Sequence, residues 1–206
     1  MAVIQQARFA SVDALRGITV AAMLLVNNPG DWGHVYAPLL HADWHGCTPT
    51  DLVFPFFLFI VGVSIALGIV PRVEAGADIP LLRRAVLVRS LKIIALGLAL
   101  HLLSFLLMDK EWLRPWGVLQ RIGLCFAVVG LLALYGRARL QWTVITVLLL
   151  GYWGLLLIGG SFEPWINLAS RVDTALLGPL LYQFDPATGL GHDPEGLLST
   201  LPAIAT

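Results

Sequence analysis

Five apolar stretches, each about 20 residues long, constrain the fold of this chain more than any other feature of its sequence. A helix needs roughly 20 mainly apolar residues to cross the hydrocarbon core of a bilayer, and the backbone polar groups must find their partners within that helix. The pattern therefore predicts an all-α, polytopic integral membrane helical bundle, with the lipid bilayer as its surroundings. The predicted spans are residues 11–28, 50–70, 87–108, 117–135 and 140–159.

Composition supports this fold class. Hydrophobic residues make up 58% of the chain and charged residues 13%, whereas a soluble domain carries about 25% charged residues. The formal net charge is zero, so no basic surface for nucleic acid is expected. Cys47 and Cys125 lie far apart, in a loop and in a span, so neither a disulfide framework nor a CxxC metal motif is predicted.

A sixth apolar segment begins near the end of the chain. Asp193, Pro194 and Glu195 fit a helix start with proline at its first position, but residues 196–206 are too few to cross a bilayer. We therefore expect residues 1–206 to be a single transmembrane domain, the N-terminal part of a longer membrane protein. The N-terminus lacks the features of a cleaved signal peptide, so the first span is expected to be retained.

The distribution of lysine and arginine among the loops predicts the orientation in the membrane. Six arginines lie in short loops on one side, and three basic residues lie in longer loops on the other. By the positive-inside rule the N-terminus is cytoplasmic, and loop 29–49, loop 109–116 and segment 160–192 are periplasmic. The six are Arg8, Arg72, Arg83, Arg84, Arg137 and Arg139, and the three are Lys110, Arg114 and Arg171.

Ionisable residues inside a span are costly unless they face a protein interior or a wet cavity, so each is a candidate functional residue. Arg16 can pair with Asp13 on one helix face. Arg121, which follows Gln120, lies near the outer boundary of the fourth span, and we predict Asp51 as its partner. Asp51 also fits a capping box at the start of the second span, with Thr48 as the N-cap, and the two roles are compatible.

Four cations cluster around the cytoplasmic start of the third span. One interpretation is anchoring by the positive-inside rule, with long side chains reaching the interface. The other is a cytoplasmic cationic mouth for a phosphorylated ligand. The four are Arg83, Arg84, Arg89 and Lys92.

Further polar residues mark the outer half of the spans. Asn27 and Asn28 end the first span, where helix termination before Pro29 explains one asparagine but does not require two. His101 lies in the outer part of the third span, and both a hydrogen-bonded structural role and a catalytic role stay open for it.

Three interpretations apply to the histidines of loop 29–49. His41 or His45 can act as a general base or as a nucleophile toward an acyl group. The spacing of His41 and His45, with Asp43 between them, would suit a metal only if the segment were helical, and the surrounding glycine and prolines argue against a helix. No metal is therefore expected. For His34, beside two aromatic residues, we favour a position in an interfacial aromatic belt.

Three motifs together resemble one known family. The segments "SVDALRGITVAAMLLVNNPG", "HADWHGCTPTDLVFPFFLFIVGVSIAL" and "RPWGVLQRIGLCF" are similar to the transmembrane acyltransferases related to heparan-alpha-glucosaminide N-acetyltransferase, and to their bacterial inner-membrane homologues of the NagX type. The resemblance implies acetyl-CoA as co-substrate on the cytoplasmic side and an amino-sugar or glycan acceptor on the periplasmic side. It also implies location in a bacterial inner membrane. A homodimer is a further expectation.

The resemblance also implies roles for individual residues. The catalytic histidine of the family matches His41, its functional asparagine matches Asn27, with Asn28 as a substitute, and its acid matches Asp51. In this arrangement Asn27 would donate a hydrogen bond to the developing oxyanion, and Asp51 would either orient His41 or pair with Arg121. The animal enzymes carry asparagine at the position of His45, so the role of this histidine stays open. The choice between an acetyl-histidine intermediate and direct transfer also stays open.

Candidate ligand-binding residues complete the expected site. The alternative function is a transporter for an amino sugar, in which the same polar residues would line a translocation route. The candidates for acetyl-CoA are Arg83, Arg84, Arg89, Lys92 and Arg16, and those for substrate binding or structure are Asn28, His45, His101, Gln120 and Arg121.

Overall fold

The computed structural model describes residues 9–108 and 110–206, which form a mainly helical protein. The chain divides into two compact units, Met1–Gly76 and Ala77–Ala205. The α-helices are α1 (Ala10–Asn27), α2 (Pro49–Gly68), α3 (Val70–Glu74), α4 (Ile79–Leu107), α5 (Val118–Tyr135), α6 (Ala138–Ile158), α7 (Leu168–Leu177) and α8 (Thr200–Ile204), with short 3-10 turns at Ala37–Leu39 and Gly178–Leu180. A hairpin of β1 (Gln183–Asp185) and β2 (Leu190–His192) is antiparallel, with Phe184 opposite Gly191.

All five predicted spans are helices long and apolar enough to cross a membrane, which confirms the predicted fold class. Much of their surface consists of exposed large apolar side chains, such as Leu103 and Leu106 of α4 and Leu150 of α6. Such a surface is stable in lipid and not in water. The third span begins earlier than predicted, because α4 continues back to Ile79 and is about 44 Å long at 1.5 Å per residue.

In the first unit, α1 packs against α2. The Arg16 guanidinium contributes to this contact, since it donates to Asp13 Oδ1 at 3.1 Å and to Ser64 Oγ at 2.8 Å. The predicted pair of Asp13 and Arg16 is therefore confirmed. Its link to Ser64, which lies 48 residues further along the chain, joins the two spans.

In the second unit, α4 and α5 approach closely through small residues. Ser90 donates to the backbone carbonyl of Gly123 at 2.7 Å. A Cβ added at Gly123 would lie 2.6 Å from Ile94 Cγ1, and one at Gly130 would lie 2.7 Å from Val86 Cγ1. In a membrane such small residues let two backbones pack tightly, because apolar side chains gain little from leaving lipid.

The region after α6 contains structure that the sequence did not predict. Residues 193–199 form turns, and the helix begins only at Thr200, so the predicted helix start at Asp193, Pro194 and Glu195 is wrong. The reason is a competing use of the Asp193 side chain, which accepts the Glu195 N–H at 3.0 Å and holds a turn. Asp173 of α7 anchors the following residues by accepting the Leu197 N–H at 2.9 Å, and burial raises its pKa.

A buried arginine connects this region to the segment before α5. Arg114 donates through Nε and Nη2 to the two oxygens of Asp193, at 3.1 and 2.5 Å, and through Nη2 to Glu195 at 2.5 Å. The Asp193 side chain is fully buried. Burial opposes the charge of Arg114, but the two carboxylates outweigh this effect and raise its pKa. This two-point pairing holds together two segments that lie 79 residues apart in the sequence.

We expect Gly123→Val to destabilise the protein by about 1–3 kcal/mol, because a valine side chain would overlap Ile94 and separate α4 from α5. The control is Gly151→Val on α6, where an added Cβ meets nothing within 4 Å. Thermal unfolding in detergent compares the two variants. Equal unfolding midpoints for both would contradict close packing at Gly123.

We expect Asp193→Asn to lower the free energy of unfolding by about 3 kcal/mol, because it leaves the buried Arg114 charge only partly neutralised. Asp185→Asn in the exposed hairpin turn serves as the control, with an expected change below about 1 kcal/mol. Denaturant titration in mixed micelles measures both. If Asp193→Asn lowered the free energy of unfolding no more than the control does, the ion pair would contribute little to stability.

Candidate active site

His41 and Asp51 form a hydrogen-bonded pair in the first unit. His41 Nδ1 lies 2.6 Å from Asp51 Oδ1. The His41 side chain is 64% exposed and that of Asp51 is 27% exposed. Because an ionised carboxylate can only accept, His41 Nδ1 carries a proton, and in the neutral ring Nε2 is then the nitrogen with the lone pair. An accessible histidine with this tautomer can take a proton from a substrate.

The sequence around Asp51 explains why its carboxylate is held in place. Thr48 is the N-cap of α2 and forms the predicted capping box with Asp51, which is confirmed. Asp51 Oδ2 accepts the Thr48 N–H at 2.8 Å and the Ala42 N–H at 3.2 Å, while Oδ1 contacts His41. Asp51 therefore caps the helix with one oxygen and orients the histidine with the other.

Further hydrogen bonds attach the preceding loop to the start of α2. The Thr48 hydroxyl lies 2.7 Å from the Leu40 carbonyl oxygen, and Thr50 donates to the Pro38 carbonyl at 3.2 Å. Thr50 is only 2% exposed. The residues on both sides of His41 are thus fixed to the helix that carries Asp51, which limits the positions its ring can take.

The two asparagines at the end of α1 differ in their contacts. Asn28 donates through Nδ2 to the Leu24 carbonyl at 2.9 Å and terminates the helix. The Asn27 side chain is exposed and makes no hydrogen bond to residues 9–108 or 110–206. Helix termination therefore uses the side chain of Asn28, whereas the side chain of Asn27 is available to bind a ligand.

The remaining histidines of loop 29–49 lie on the surface. His45 is exposed. His34 Nδ1 lies 2.5 Å from Asp31 Oδ2, and this hydrogen bond lowers the pKa of Asp31. Across the described part of the chain, no group of three or more histidine, cysteine, aspartate or glutamate side chains could hold a metal ion.

The four cations predicted to contact a phosphorylated ligand all lie on α4. All four are exposed, and the Arg89 guanidinium carbon lies 5.2 Å from the centre of the Phe126 ring. Arg83 and Arg84 fall within the first turn and a half of α4, outside the 20 residues or so that a bilayer core requires. Their position suits the headgroup region, whereas Arg89 and Lys92 lie closer to the hydrocarbon.

Arg121 and Gln120, which the sequence places near the outer boundary of the fourth span, differ in how their polar atoms are satisfied. Arg121 donates to the carbonyl oxygens of Pro194 at 3.1 Å and Ser199 at 2.7 Å. Its predicted pairing with Asp51 joins residues of the two units and stays a prediction. Gln120 is 1% exposed, and its Nε2 lies 3.4 Å from His101 Nδ1 without a hydrogen bond, since both atoms are donors. Its buried Oε1 has no hydrogen-bond partner among the described residues.

His101 has a defined partner. Its Nδ1 lies 2.6 Å from the Arg114 carbonyl oxygen, an atom that can only accept, so this nitrogen is the donor. Sequence reasoning assigned Arg114 only to a loop and missed its partners. The one available signal was an arginine next to proline and tryptophan in a short loop, which does not identify partners 79 and 81 residues away.

Comparison with known proteins gives the relatives of this chain. The human heparan-alpha-glucosaminide N-acetyltransferase (Homo sapiens) is 32% identical over 246 aligned positions, which cover 96% of this chain and 36% of the human protein. The mouse protein of the same name (Mus musculus) is 29% identical over 245 positions, with 96% and 37% covered. The chain thus spans little more than a third of the length of these relatives.

A family model described as heparan-alpha-glucosaminide N-acetyltransferase, catalytic, matches residues 8–174. This match includes all three motifs that carried the resemblance, and both sides of the His41–Asp51 pair. The chain belongs to the heparan-alpha-glucosaminide N-acetyltransferase family of membrane acetyltransferases.

Proposed function

We propose that this chain forms part of an enzyme that moves an acetyl group from cytoplasmic acetyl-CoA to the amino group of a periplasmic amino sugar or glycan. The observation that carries the proposal is the pair of His41 and Asp51, in which an exposed imidazole is held by a helix-capping carboxylate. The names of the relatives and the family model support the reaction class. The proposal includes a bacterial inner membrane and a cytoplasmic N-terminus, which the resemblance and the loop charges support.

In the proposed reaction His41 Nε2 takes the proton that the acceptor nitrogen loses as it attacks the thioester carbonyl. The C–N bond forms and the C–S bond breaks, so that CoA leaves as a thiolate, to which the imidazolium returns the proton. Asp51 stabilises the imidazolium through Nδ1. His41 Nε2 could instead receive the acetyl group first, in which case the acceptor attacks an acetyl-histidine.

Asn27 is the proposed donor to the developing oxyanion. Its amide N–H groups are not used by other described residues, whereas those of Asn28 terminate α1. A neutral donor suits this role because it stabilises negative charge on the carbonyl oxygen without supplying a competing proton.

The phosphates of acetyl-CoA require cations, and the first part of α4 supplies them. Arg83 and Arg84 are exposed, and they make no ion pair with other residues of the described chain. Arginine binds phosphate through two parallel N–H donors, which favours them over Lys92 as primary contacts. Arg16 is less suited, since its guanidinium already contacts Asp13 and Ser64.

We expect His41→Ala to lower kcat/KM for acetyl transfer by about 100-fold or more, because it removes the general base. The measurement uses the purified full-length protein, radiolabelled acetyl-CoA and a glucosamine-terminated acceptor. His34→Ala, which removes another exposed histidine of the same loop, should keep activity near the wild-type value. If His41→Ala left acetyl transfer unchanged and proteoliposomes containing the protein took up the sugar, the transporter function would be favoured instead.

We expect Asp51→Asn to lower kcat by about 100-fold or more, because an amide can donate to His41 Nδ1 and stabilise the wrong tautomer. Thr48→Ala is the control for capping, since it removes the threonine hydroxyl but leaves the Thr48 N–H and the His41 contact. It should lower stability by about 0.5–2 kcal/mol and lower kcat far less than Asp51→Asn does, because it releases Leu40 but keeps the bond between His41 and Asp51. Similar losses of kcat in both variants would mean that Asp51 affects catalysis only by capping α2 and not by orienting His41.

A further inference from the structure

Two exposed arginines lie on the short turn between α5 and α6 in the second unit. Arg137 is the N-cap of α6 and Arg139 lies in its first turn. Neither side chain makes an ion pair with another residue of the described chain. The nearest acidic residues along the sequence are Glu111, before α5 begins, and Glu163, after α6 ends. The turn therefore carries two positive charges that no neighbouring carboxylate neutralises.

Local hydrogen bonds fix the backbone of this turn. The Gly136 N–H donates to the Leu132 carbonyl at 2.7 Å, and the Gln141 N–H donates to the Arg137 carbonyl at 3.1 Å. Gln141 also donates through Nε2 to the Gly136 carbonyl at 3.1 Å. These bonds use backbone groups and one amide side chain, so the guanidinium groups of both arginines remain available to bind a ligand.

The surface next to the two arginines is aromatic and apolar. Tyr135, Leu140 and Trp142 are all exposed. Tyrosine and tryptophan are enriched at the level of the lipid headgroups, where one side of the ring is apolar and the other is wet. From this level α6 continues as an apolar span that buries none of its side chains in the described part of the chain. A ligand with both a charged headgroup and apolar chains fits this surface, whereas a free phosphate ion would use only its arginines.

Two further arginines strengthen the positive field at this end of the second unit. The start of α4 lies beside the end of α5, since a Cβ added at Gly130 would lie 2.7 Å from Val86 Cγ1. Arg83 and Arg84, in the first turn and a half of α4, therefore lie at the same end as the turn between α5 and α6. Among the described residues of this unit, Asp78 at the N-cap of α4 is the acid at this end. Positive charge thus dominates here, which attracts anions.

We infer that the turn between α5 and α6 binds the headgroup of an anionic phospholipid. The guanidinium groups of Arg137 and Arg139 bind its phosphate oxygens through N–H donors, and its acyl chains lie along the exposed apolar surface of α6. A zwitterionic lipid also carries a phosphate, but its own cation cancels the charge, so the site selects lipids with a net negative charge. The inference does not rest on the proposed function, in which neither arginine takes part.

Titration of the full-length protein in detergent micelles with dioctanoyl-phosphatidylglycerol tests the inference, with bound lipid measured by native mass spectrometry. We expect Arg137→Gln/Arg139→Gln to weaken binding by about 20- to 30-fold, because each basic residue near an anionic lipid contributes about fivefold in affinity. Arg137→Lys/Arg139→Lys keeps both charges and should retain most of the binding. The matched control is Lys110→Gln/Arg171→Gln, which removes two charges from exposed side chains elsewhere in the unit and should leave binding near the wild-type value.

Several outcomes would overturn the lipid site. They are equal affinities of the wild type and Arg137→Gln/Arg139→Gln, equal binding of dioctanoyl-phosphatidylcholine and dioctanoyl-phosphatidylglycerol by the wild type, and a loss in the lysine variant as large as that in the glutamine variant. Displacement of the lipid by inorganic phosphate would assign the arginines to a free phosphate and would also overturn it.

A separate measurement distinguishes this site from the proposed contacts of acetyl-CoA. The KM for acetyl-CoA should be unchanged in Arg137→Gln/Arg139→Gln, because the proposed phosphate contacts are Arg83 and Arg84. A raised KM would show that the turn serves acetyl-CoA and would overturn the lipid assignment. Lipid binding that depends on Arg137 and Arg139 in a protein without acetyl transfer would support the lipid site and contradict the proposed function.

Discussion

The structure depends on one constraint, which is that a backbone within lipid must satisfy its N–H and C=O groups without water. Five helices of 18 to 29 residues meet this constraint. Their exposed apolar side chains are as stable in lipid as in a contact between helices. The hydrophobic effect therefore contributes little to helix packing. In the second unit small residues supply this packing instead, where Gly123 and Gly130 bring α5 against α4.

The same constraint places polar chemistry at the ends of helices, where backbone groups lack intrahelical partners. Asp51 caps α2 because the first N–H groups of that helix need an acceptor, and its second oxygen is then available to His41. The carboxylate that is proposed to orient His41 thus arises from a structural requirement of the helix. At the end of α1, Asn28 terminates the helix, and the proposed oxyanion donor is its neighbour Asn27.

In the second unit, polar contacts between distant segments replace regular structure. Arg114 holds Asp193 and Glu195, and Asp173 holds the backbone at Leu197. These contacts fix the turn that the sequence pattern suggested as a helix start. Arg114, which the sequence assigned only to a loop, thus holds the segment before α5 to the region after α7.

The sequence by itself determined the spans, the capping box and the pair of Asp13 and Arg16, because each depends on local periodicity or on residues three apart. The resemblance singled out His41 and Asp51 and left open whether Asp51 orients His41 or pairs with Arg121. The tertiary structure places Asp51 in contact with His41, across ten residues of loop and helix start. It alone decided the partners of Arg114. The reason is that pairings across about 80 residues depend on how helices pack, which hydrophobic periodicity leaves open.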